Sequence, residues 1–451
     1  MAITDAERSR RIYENFRRPT EYRTEYQRDY DRLIYSSALR RLGGVTQTVN
    51  PAEGQSFHNR LTHSLKVAQI GFRISEKIKN EHNTEELLQL GGLDPNVVQA
   101  AALAHDLGNP PFGHLAEKEL DELIKKKGEE LGVDIDGFEG NAQSFRIVNK
   151  LSYGYDNICG INLTCATLNA ILKYPWSCTN KPLDNTEKFG VYSSEFQEFE
   201  DVRKSIEELG LTRTLEASIM DLSDDITYAI HDFEDFFRAN LIPSGEIFEE
   251  ADIKELEKLI KYPKEPWYPI DHNKSAEEEV KELLIFYGNF PFPPKYSGKH
   301  EQRVAIHSFS SSMIKRIIDC IDLNFDSPSK SPIILKEPAA SEIILLKQLT
   351  KQFVWENPNL LRQQYGAKKI IRFLFNNLCS VMEDSKWMKL FPISSQERLE
   401  NLSKKNDKVS KQEKIRIVAD TISYLTDSEA LRLYKRLNGN SVGSIFDSFI
   451  V

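Results

Sequence analysis

One short segment constrains the fold more than any other, residues 93–108 with the sequence LDPNVVQAAALAHDLG. Asp94 is a good N-cap residue, and Pro95 suits the first position of a helix. The stretch 97–104 is almost entirely apolar, so a helix here must be covered on most of its sides. Such a helix is stable only at the centre of a larger assembly, and the rest of the chain must supply its neighbours.

The sequence also predicts where this helix ends. Pro110 and Pro111 forbid its continuation, and we expect Gly108 to end it as the residue after the C-cap. His105 and Asp106 fall in its last turn. Adjacent helical residues lie about 100° apart, so both side chains can reach one ion only at a helix end or a local distortion.

Helical spacing recurs through the chain, whereas the alternation typical of strands is scarce. The predicted helices cover residues 24–42, 61–78, 93–108, about 214–238, 367–382 and 416–437. Residues 261–298 contain KYPKEPWYP and NFPFPPKYSG, so we expect loops or an insertion there. The sequence therefore predicts an all-α protein with a central helical core and long flanking extensions.

The overall composition excludes several classes of protein. Acidic residues outnumber basic ones by 68 to 59, and a net charge of −9 excludes a global nucleic-acid footprint while leaving room for a local basic patch. The apolar runs are far shorter than a membrane span, and the start MAITDAERSRR has no signal-peptide core. Five cysteines without a CxxC pair indicate a reduced, cytoplasmic protein with cysteines as packing residues.

A second histidine, His63, lies in the helix predicted over 61–78, which places Leu61, Leu65 and Ala68 near one face. A single histidine in a helix is more often a hydrogen-bonded core residue than a ligand. Two histidines together with aspartates on separate helices, however, make a mixed nitrogen and oxygen ligand set. Such a set suits Mn²⁺, Mg²⁺, Fe²⁺ or Zn²⁺ and does not select among them.

The helix predicted over 214–238 would close such a site. Its inward stripe consists of Ile219, Leu222, Ile226, Ile230 and Phe233. Beside that stripe stand Asp221, Asp224, Asp225, Asp232 and Asp235. An exposed acidic face is the usual explanation of such a group. One helical stripe joins Asp221 to Tyr228 and Asp232, and another joins Asp224 to Tyr228 and His231, so periodicity leaves the closing ligand open.

Five segments, in order, resemble successive motifs of the deoxyguanosine triphosphate triphosphohydrolase family within the HD-domain phosphohydrolase superfamily. They are RDYDRLIYSSALRRLGGVTQTV, HNRLTHSLKVAQIG, LAHDLGNPPFGHLAEKEL, DLSDDITYAIHDFED and VADTISYLTD, and they spread over residues about 25 to 436. HDLGNPPFGH is highly specific, whereas HD alone would be weak. Tyr30 departs from the pattern, since the family usually has a basic residue there.

The resemblance implies a division of the chain. Residues 56–240 would form the HD-domain helical core, preceded by an N-terminal helical segment, 1–55, that contributes to the active site and to oligomer contacts. Residues 241–340 would be an inserted, loop-rich segment. Residues 341–451 would form a C-terminal helical region packed on the core.

The resemblance also implies the metal ligands, which would be His63, His105, Asp106 and Asp224. In the family the closing aspartate is the first of the Asp-Asp pair, four residues before the tyrosine, which leaves Asp221 as the runner-up. The implied metal is Mg²⁺ or Mn²⁺, with Fe²⁺, Co²⁺ and Zn²⁺ as alternatives.

Five further residues resemble family positions at the substrate. Arg41 and Arg60 would face it, and Asn109 would donate a hydrogen bond to a phosphate. Tyr228 and Asp232 would line the sugar pocket. A tyrosine packed under the deoxyribose leaves no room for a 2′-hydroxyl and would reject ribonucleotides.

His114 and Glu117 follow the proline turn and are neighbours on one face of the next helix. Glu117 can orient the imidazole, and histidine is the natural proton carrier near neutral pH. The alternative is a capping-box-like arrangement in which Glu117 serves only the helix start. The resemblance favours a catalytic pair.

The implied activity is hydrolysis of dGTP, and of other dNTPs, to a deoxynucleoside and inorganic triphosphate. The family also implies a homo-oligomer, often a hexamer, with a nucleotide or single-stranded DNA as effector and no membrane. Two alternatives remain: another HD phosphohydrolase, acting as a 5′-nucleotidase or on (p)ppGpp, and a non-catalytic protein that binds nucleotides or nucleic acid. A metalloprotease is disfavoured because the sequence has no HExxH motif.

Overall fold

The protein is described by a computed structural model in which helices dominate. The structure describes residues 2–13, 20–48, 57–153, 159–182, 187–243, 269–271, 275–290, 292, 295–329, 331–382, 384, 386–405 and 409–441. Its α-helices are α1 (Asp5–Ser9), α2 (Glu25–Ile34), α3 (Ser37–Arg41), α4 (Arg60–Glu81), α5 (Thr84–Gln89), α6 (Pro95–Ala104), α7 (His114–Leu131), α8 (Gly140–Arg146), α9 (Cys165–Ile171), α10 (Phe196–Glu208), α11 (Leu215–Arg238), α12 (Ala276–Gly288), α13 (His300–Asp319), α14 (Ala339–Thr350), α15 (Pro358–Val381), α16 (Ile393–Lys405), α17 (Lys411–Ser423) and α18 (Asp427–Leu437). The all-α prediction is confirmed.

A small sheet accompanies the helices. Its strands are β1 (Ile270–Asp271), β2 (Ile321–Leu323) and β3 (Ile333–Lys336), in the order β1-β3-β2. Strand β1 runs parallel to β3, and β2 runs antiparallel to it with Ile321 opposite Leu335. Both of these side chains are buried in the core that α11 shares with the sheet.

Helix α6 lies at the centre, as its sequence predicts. Asp94 caps it by accepting a hydrogen bond of 2.8 Å from the Asn96 amide, and Pro95 is its first residue. Helices α2, α4, α9 and α11 all pack against it. Residues 97 and 98 and 100–104 are fully buried, so the apolar run is covered on every side.

The end of α6 differs from the prediction. The helix stops at Ala104, turns follow, and Gly108 is not in the left-handed region. A Cβ atom on Gly108 would lie 2.1 Å from the Gly140 carbonyl oxygen, so this glycine permits the close approach of α8. The left-handed residues of the turn are Phe112 and Gly113, each with φ of 67°.

Two predicted helices are each divided in two by an internal cap. Residues 24–42 form α2 and α3, because the Ser36 hydroxyl accepts from the Leu39 amide and begins a new helix. Residues 416–437 span parts of α17 and α18, because Thr426 and Glu429 form a capping box at the start of α18. Ser36 and Thr426 each end one helix and begin the next, because their side-chain oxygens accept hydrogen bonds from backbone amides of the following turn.

The buried face of α4 also differs from the prediction. Leu65 is 40% exposed, whereas Arg60, His63, Val67 and Ile74 are buried. The predicted face was defined by apolar side chains alone. The buried face of α4 carries the polar residues Arg60 and His63 at its N-terminal end. A face defined by apolar residues alone is therefore rotated about the helix axis relative to the face that is buried.

The segment 241–340 is not loop-rich where the structure describes it. It contributes α12, α13 and all three strands. Helix α12 begins with a capping box between Ser275 and Glu278. Phe309 of α13 packs on Phe233 of α11 with ring centroids 5.4 Å apart. The segment is thus a helical layer of the same core. The stretch KYPKEPWYP lies outside the described residues apart from its last proline.

A second core joins α7 to the C-terminal helices α15, α17 and α18. Helix α14 packs instead on α11. The predicted boundary at 340 falls inside α14, and the boundary at 55 lies outside the described residues. The four-part division of the chain stays a prediction.

The remaining features are simple. All five cysteines are free. Among the described residues, none of the helices combines the length and the apolar character that crossing a membrane requires.

Candidate active site

Three predicted ligands meet where α6 ends. His63, on the first turn of α4, His105, at the C-cap of α6, and Asp106 each place one ligand atom within 4.8 Å of the others. All three are at least largely buried, with side chains 14% exposed or less. The turn after Ala104 releases Asp106 from the helical spacing, which lets adjacent residues face one point.

His105 is oriented for a ligand role. Its Nδ1 donates to the Ala102 carbonyl at 2.7 Å, so its Nε2 faces the cluster. Among the described residues, no hydrogen-bond partner reaches this buried Nε2. Burial lowers the pKa of His105, but the carboxylates of Asp106 and Asp224 outweigh burial and raise the pKa to about 9. The cluster therefore favours a positive charge at this point.

Helix α11 brings Asp224 to the cluster and keeps Asp221 away from it. Asp224 Oδ1 lies 2.9 Å from His63 Nε2 and 3.6 Å from His105 Nε2. Asp221 instead binds Arg213 at 2.7 Å and Lys173 at 2.5 Å. The geometry favours Asp224 over Asp221, in agreement with the resemblance.

The Asp106 carboxylate is held by two predicted substrate residues. Arg60 Nη1 donates to Oδ2 at 2.9 Å, and Asn109 Nδ2 donates to Oδ1 at 2.6 Å. Burial would raise the pKa of Asp106, but the positive charges of His105, Arg60 and His63 lower it to about 2. Asp106 is therefore a carboxylate at neutral pH with a fixed orientation.

These residues fit a divalent cation. The donor set of two imidazoles and two carboxylates is one that transition metals and Mg²⁺ accept. The buried Nε2 of His105 has no hydrogen bond from any described residue, which is the state expected of a metal ligand rather than of a core histidine. The charge of Asp106 and Asp224 calls for a cation in the same place.

The cluster opens into a cavity of about 940 Å³. We call the cluster of His63, His105, Asp106 and Asp224 the floor. The C-terminal part of the chain supplies other residues that line the cavity. We call them the wall: Trp355, Leu360, Gln363, Gln364, Gly366, Ala367 and Ile370. The volume is within the range of pockets that enclose small organic ligands.

His114 and Glu117 lie at the edge of this cavity and form the predicted pair. His114 Nδ1 donates to Glu117 Oε2 at 2.8 Å, and the imidazole is 61% exposed while Glu117 is buried. Burial would raise the pKa of Glu117, but the hydrogen bond from His114 and the charge of Lys188 hold it well below its usual range. Glu117 is the fourth residue of α7 and does not cap it, so the capping alternative is wrong.

The other predicted substrate residues differ in position. Tyr228 lines the cavity, with Lys347 Nζ 5.8 Å from the centre of its ring. Burial, followed by the charges of Asp232 and Asp224, raises the pKa of Tyr228 well above its usual value, so its hydroxyl is neutral. Asp232 lies behind the cavity lining and accepts from the Thr48 hydroxyl at 3.1 Å.

Arg41 does not line the cavity. Its guanidinium donates to the carbonyls of Leu107, Asn109 and Leu425 at 2.8 to 2.9 Å. These bonds fix both sides of the turn that carries Asp106. The geometry favours a positioning role for Arg41 over the predicted direct contact with substrate.

Sequence reasoning missed several cavity residues. Lys173 follows α9 and binds Asp224 at 3.1 Å, and Lys188 binds Glu117 at 2.6 Å. A lone lysine carries no sequence signal of this kind. The wall was missed as well, because its residues come from α15 and the turn before it, more than a hundred residues beyond α11.

The fold and the cluster define the class of the protein. The HD-domain family model matches residues 60–156, which include His63, His105, Asp106, His114 and Glu117. A phosphohydrolase-associated domain matches residues 333–436. The protein is an HD-domain phosphohydrolase with its associated C-terminal domain.

Relatives define the family more closely. A deoxyguanosinetriphosphate triphosphohydrolase-like protein of Bifidobacterium longum is 31% identical over 92% of this chain and 83% of its own length. A deoxyguanosinetriphosphate triphosphohydrolase-like protein 2 of Mesorhizobium japonicum is 31% identical over 98% of this chain and 99% of its own. A relative from Shewanella halifaxensis is 29% identical over 97% of each chain. The chain belongs to the deoxyguanosinetriphosphate triphosphohydrolase-like family.

Proposed function

We propose that this protein is a metal-dependent dNTP triphosphohydrolase that converts dGTP, and other dNTPs to a degree that experiment must set, into a deoxynucleoside and inorganic triphosphate. The observation that carries the proposal is the floor of two histidines and two aspartates in a nucleotide-sized cavity, with the His114–Glu117 pair at its edge. The names of the relatives support dGTP as the first substrate to test.

The reaction breaks the bond between the α-phosphorus and the sugar 5′-oxygen. The α-phosphate must be polarised, a water must be activated, and the leaving 5′-oxygen needs a proton. A divalent cation bound by His63, His105, Asp106 and Asp224, with Mn²⁺ or Mg²⁺ as our first choice, would supply Lewis acidity and lower the pKa of water. The chain's own residues carry the remaining tasks.

Binding of the triphosphate falls to cationic and amide donors on the cavity. Arg60 lines it, and its Nη2 is buried without a hydrogen-bond partner among the described residues, so this donor is available to a phosphate oxygen. Lys173 also lines it, and the charges of Asp221 and Asp224 outweigh burial and raise its pKa, so it stays an ammonium. Asn109 would keep Asp106 oriented while the substrate enters.

Proton transfer falls to His114. Its Nδ1 is engaged by Glu117, so Nε2 is the atom that exchanges a proton with the 5′-oxygen or with water. Glu117 stays anionic and fixes the orientation of the ring. The exposure of the ring leaves space for substrate beside it.

Selection of the sugar falls to Tyr228. Its ring lines the cavity one helical turn beyond Asp224, where a 2′-hydroxyl would collide with it. Asp232 is proposed to support this region through Thr48, which also lines the cavity. Arg41 is proposed to hold the turn that carries Asp106.

The test is product analysis. The purified protein is incubated with each of the four dNTPs, with and without Mn²⁺, and products are separated by ion-exchange chromatography. We expect deoxyguanosine and inorganic triphosphate in equal amounts. Release of monophosphate or pyrophosphate would replace the proposal with a different HD phosphohydrolase, and no turnover of any dNTP with Mn²⁺ or Mg²⁺ would overturn it.

The family also suggests a homo-oligomer and a nucleotide or single-stranded DNA effector for this chain. Light scattering of the purified protein tests the first. Turnover measured with added dNTP mixtures or an oligodeoxynucleotide tests the second.

A further inference from the structure

The Glu117 carboxylate is held by more than its histidine partner. Oε2 accepts from His114, while Oε1 accepts from Lys188 Nζ at 2.6 Å and from the Gly140 amide at 3.1 Å. Both oxygens are therefore engaged. The direction in which Glu117 presents Oε2 to the imidazole depends on what holds Oε1.

Lys188 bridges two buried carboxylates. Its Nζ lies 2.6 Å from Glu117 and 2.9 Å from Glu139, whose other oxygen caps α8 by accepting from the Asn141 amide at 2.6 Å. The Lys188 backbone is fixed as well, since its carbonyl accepts from the Trp176 indole at 2.8 Å. The ammonium therefore connects α7 to the N-terminus of α8.

Charge explains why a cation stands there. Burial raises the pKa of Glu139, the charge of Lys188 opposes this and the charge of Glu117 adds to it, and the result is a pKa of about 6. Burial lowers the pKa of Lys188, but its two carboxylate partners outweigh burial and raise it above its usual value. Without the ammonium, two buried carboxylates would face each other, and one would take up a proton.

We propose that Lys188 is a positioning residue for the reaction, which holds Glu117 ionised and in one orientation so that Glu117 can orient His114. This inference rests on the proposed function of the His114–Glu117 pair. It assigns Lys188 no contact with the metal and no proton of its own to transfer. Glu139 takes part as the second anchor of the ammonium.

The first test is Lys188→Met in the full-length protein with Mn²⁺. We expect kcat for dGTP to fall about 10- to 100-fold, the usual cost of removing a group that orients a working residue. Bound metal and KM should change little. Lys188→Arg, which keeps the charge, should restore part of kcat. Lys181→Met is the matched control, because Lys181 precedes Lys188 by seven residues, donates to the Glu187 carbonyl and packs on Phe189.

The double variant Lys188→Met/Glu139→Gln gives the sharpest test. Removing the second carboxylate removes the repulsion, so the double variant should turn over faster than Lys188→Met alone. If Lys188 instead binds the triphosphate directly, Lys188→Met should raise KM, and the added Glu139→Gln substitution should not restore turnover. That result would overturn the inference, as would an unchanged kcat in Lys188→Met.

The pH dependence adds a readout that a purely structural role would not move. Among the described residues, the titratable groups that face Glu117 and Glu139 include His114, Lys188, Tyr174 and Tyr192. In Lys188→Met the acidic limb of the kcat profile should move to higher pH, because Glu117 becomes protonated nearer neutrality. In the double variant it should return toward the wild-type position, and an unmoved limb in Lys188→Met contradicts the inference.

A double-mutant cycle separates this inference from the function on which it rests. In a His114→Ala background, Lys188→Met should cost little more, since the residue it positions is gone. If His114→Ala alone leaves turnover intact, the proposed catalytic pair is wrong. If His114→Ala is slow and Lys188→Met multiplies its defect in full, only the positioning role fails.

Discussion

The floor and the wall of the cavity are built by different chemistry. The floor is buried and charged, and short contacts join its members, such as the 2.9 Å between His63 and Asp224. The wall is neutral, with amides at Gln363 and Gln364 and an indole that is 41% exposed. The difference suggests that the floor performs the reaction and the wall adapts to the part of the substrate that does not react.

The two regions also come from different segments of the chain. The floor lies on α4, on α11 and at the end of the buried helix α6. The wall belongs to α15 and the turn before it, within the C-terminal match. We therefore expect substitutions in the floor to abolish turnover and substitutions in the wall to change affinity.

The largest effect is expected at Asp224. Asp224→Ala should lose bound metal and dGTP hydrolysis together, because it removes the carboxylate that faces both histidines. Asp221→Ala, three residues away, is the matched control and should keep its metal, because Asp221 binds Arg213 and Lys173 instead. Metal analysis by mass spectrometry decides between them, and metal loss in Asp221→Ala alone would reverse the assignment.

His114→Ala should have the next largest effect. The variant should keep its metal and bind dGTP, while single-turnover hydrolysis slows by roughly 10²- to 10⁴-fold, the range for a positioned acid–base group. Glu117→Ala should slow it less, because the imidazole remains but is poorly oriented. Loss of metal from His114→Ala would make His114 a ligand, and a normal rate would make it structural.

Tyr228→Ala tests the boundary between floor and wall. We expect the preference for dGTP over GTP to fall by about 10- to 100-fold, because the ring no longer fills the space of a 2′-hydroxyl. Competition assays with both nucleotides measure the ratio. Tyr365→Ala is the control, since that tyrosine is 63% exposed on α15 and does not line the cavity. An unchanged ratio would remove Tyr228 from this role.

Gln364→Ala tests the wall itself. Loss of one neutral hydrogen bond to substrate, worth about 1 kcal/mol, should raise KM roughly fivefold and leave kcat unchanged. Gln352→Ala is the control, because that residue is exposed near the wall without lining it. A fall in kcat with constant KM would mean that the wall takes part in the reaction and would break the comparison.

The smallest effect on turnover is expected at Asp420, which lies in neither the floor nor the wall and joins α8 to the C-terminal helices. This α17 carboxylate binds Arg146 of α8 at 2.9 Å and Arg398 at 2.6 Å. Asp420→Asn should leave kcat unchanged but destabilise the protein by about 3 kcal/mol at pH 7, because it removes one of the two carboxylates that pair with the buried Arg146 guanidinium, the other being Glu195. Asp201→Asn, in an exposed pair with Arg10, should cost less than about 1 kcal/mol.

The same carboxylate gives a pH dependence of known sign. Burial would raise the pKa of Asp420, but Arg146 and Arg398 hold it well below its usual value. Its contribution to stability is therefore present above about pH 4, the unfolded value, and is lost as pH falls further. Thermal melts should show the difference between wild type and Asp420→Asn shrinking below about pH 4, and a constant difference would contradict this.

The turn that carries His105 and Asp106, and the His114–Glu117 pair after it, could be predicted from the sequence because their signals are local. The proline turn after His105 and the spacing of His114 and Glu117 are visible within the thirteen residues from His105 to Glu117. The choice of Asp224 over Asp221 came from the family resemblance, since periodicity left both open. The geometry agrees, because only Asp224 reaches the histidines.

The parts that could not be predicted depend on long-range packing. The inner face of α4 was misjudged because the site places Arg60 and His63 where apolar residues are expected. The helix over Ala276–Gly288 was missed although Ser275 and Glu278 form a capping box, because the neighbouring prolines favoured a loop. Lys188 and the wall have no local signal at all.

The bonds of Arg41 bear on the synthesis of the protein. Its guanidinium binds the turn at Leu107 and Asn109 and also Leu425, which lies 384 residues beyond Arg41. At 5 to 20 residues per second, a ribosome needs roughly 20 to 80 s to make that length of chain. The bonds to Leu107 and Asn109 can form once the first 109 residues are made, whereas the bond to Leu425 can form only near the end of translation, so the nascent chain lacks one of the three bonds of Arg41.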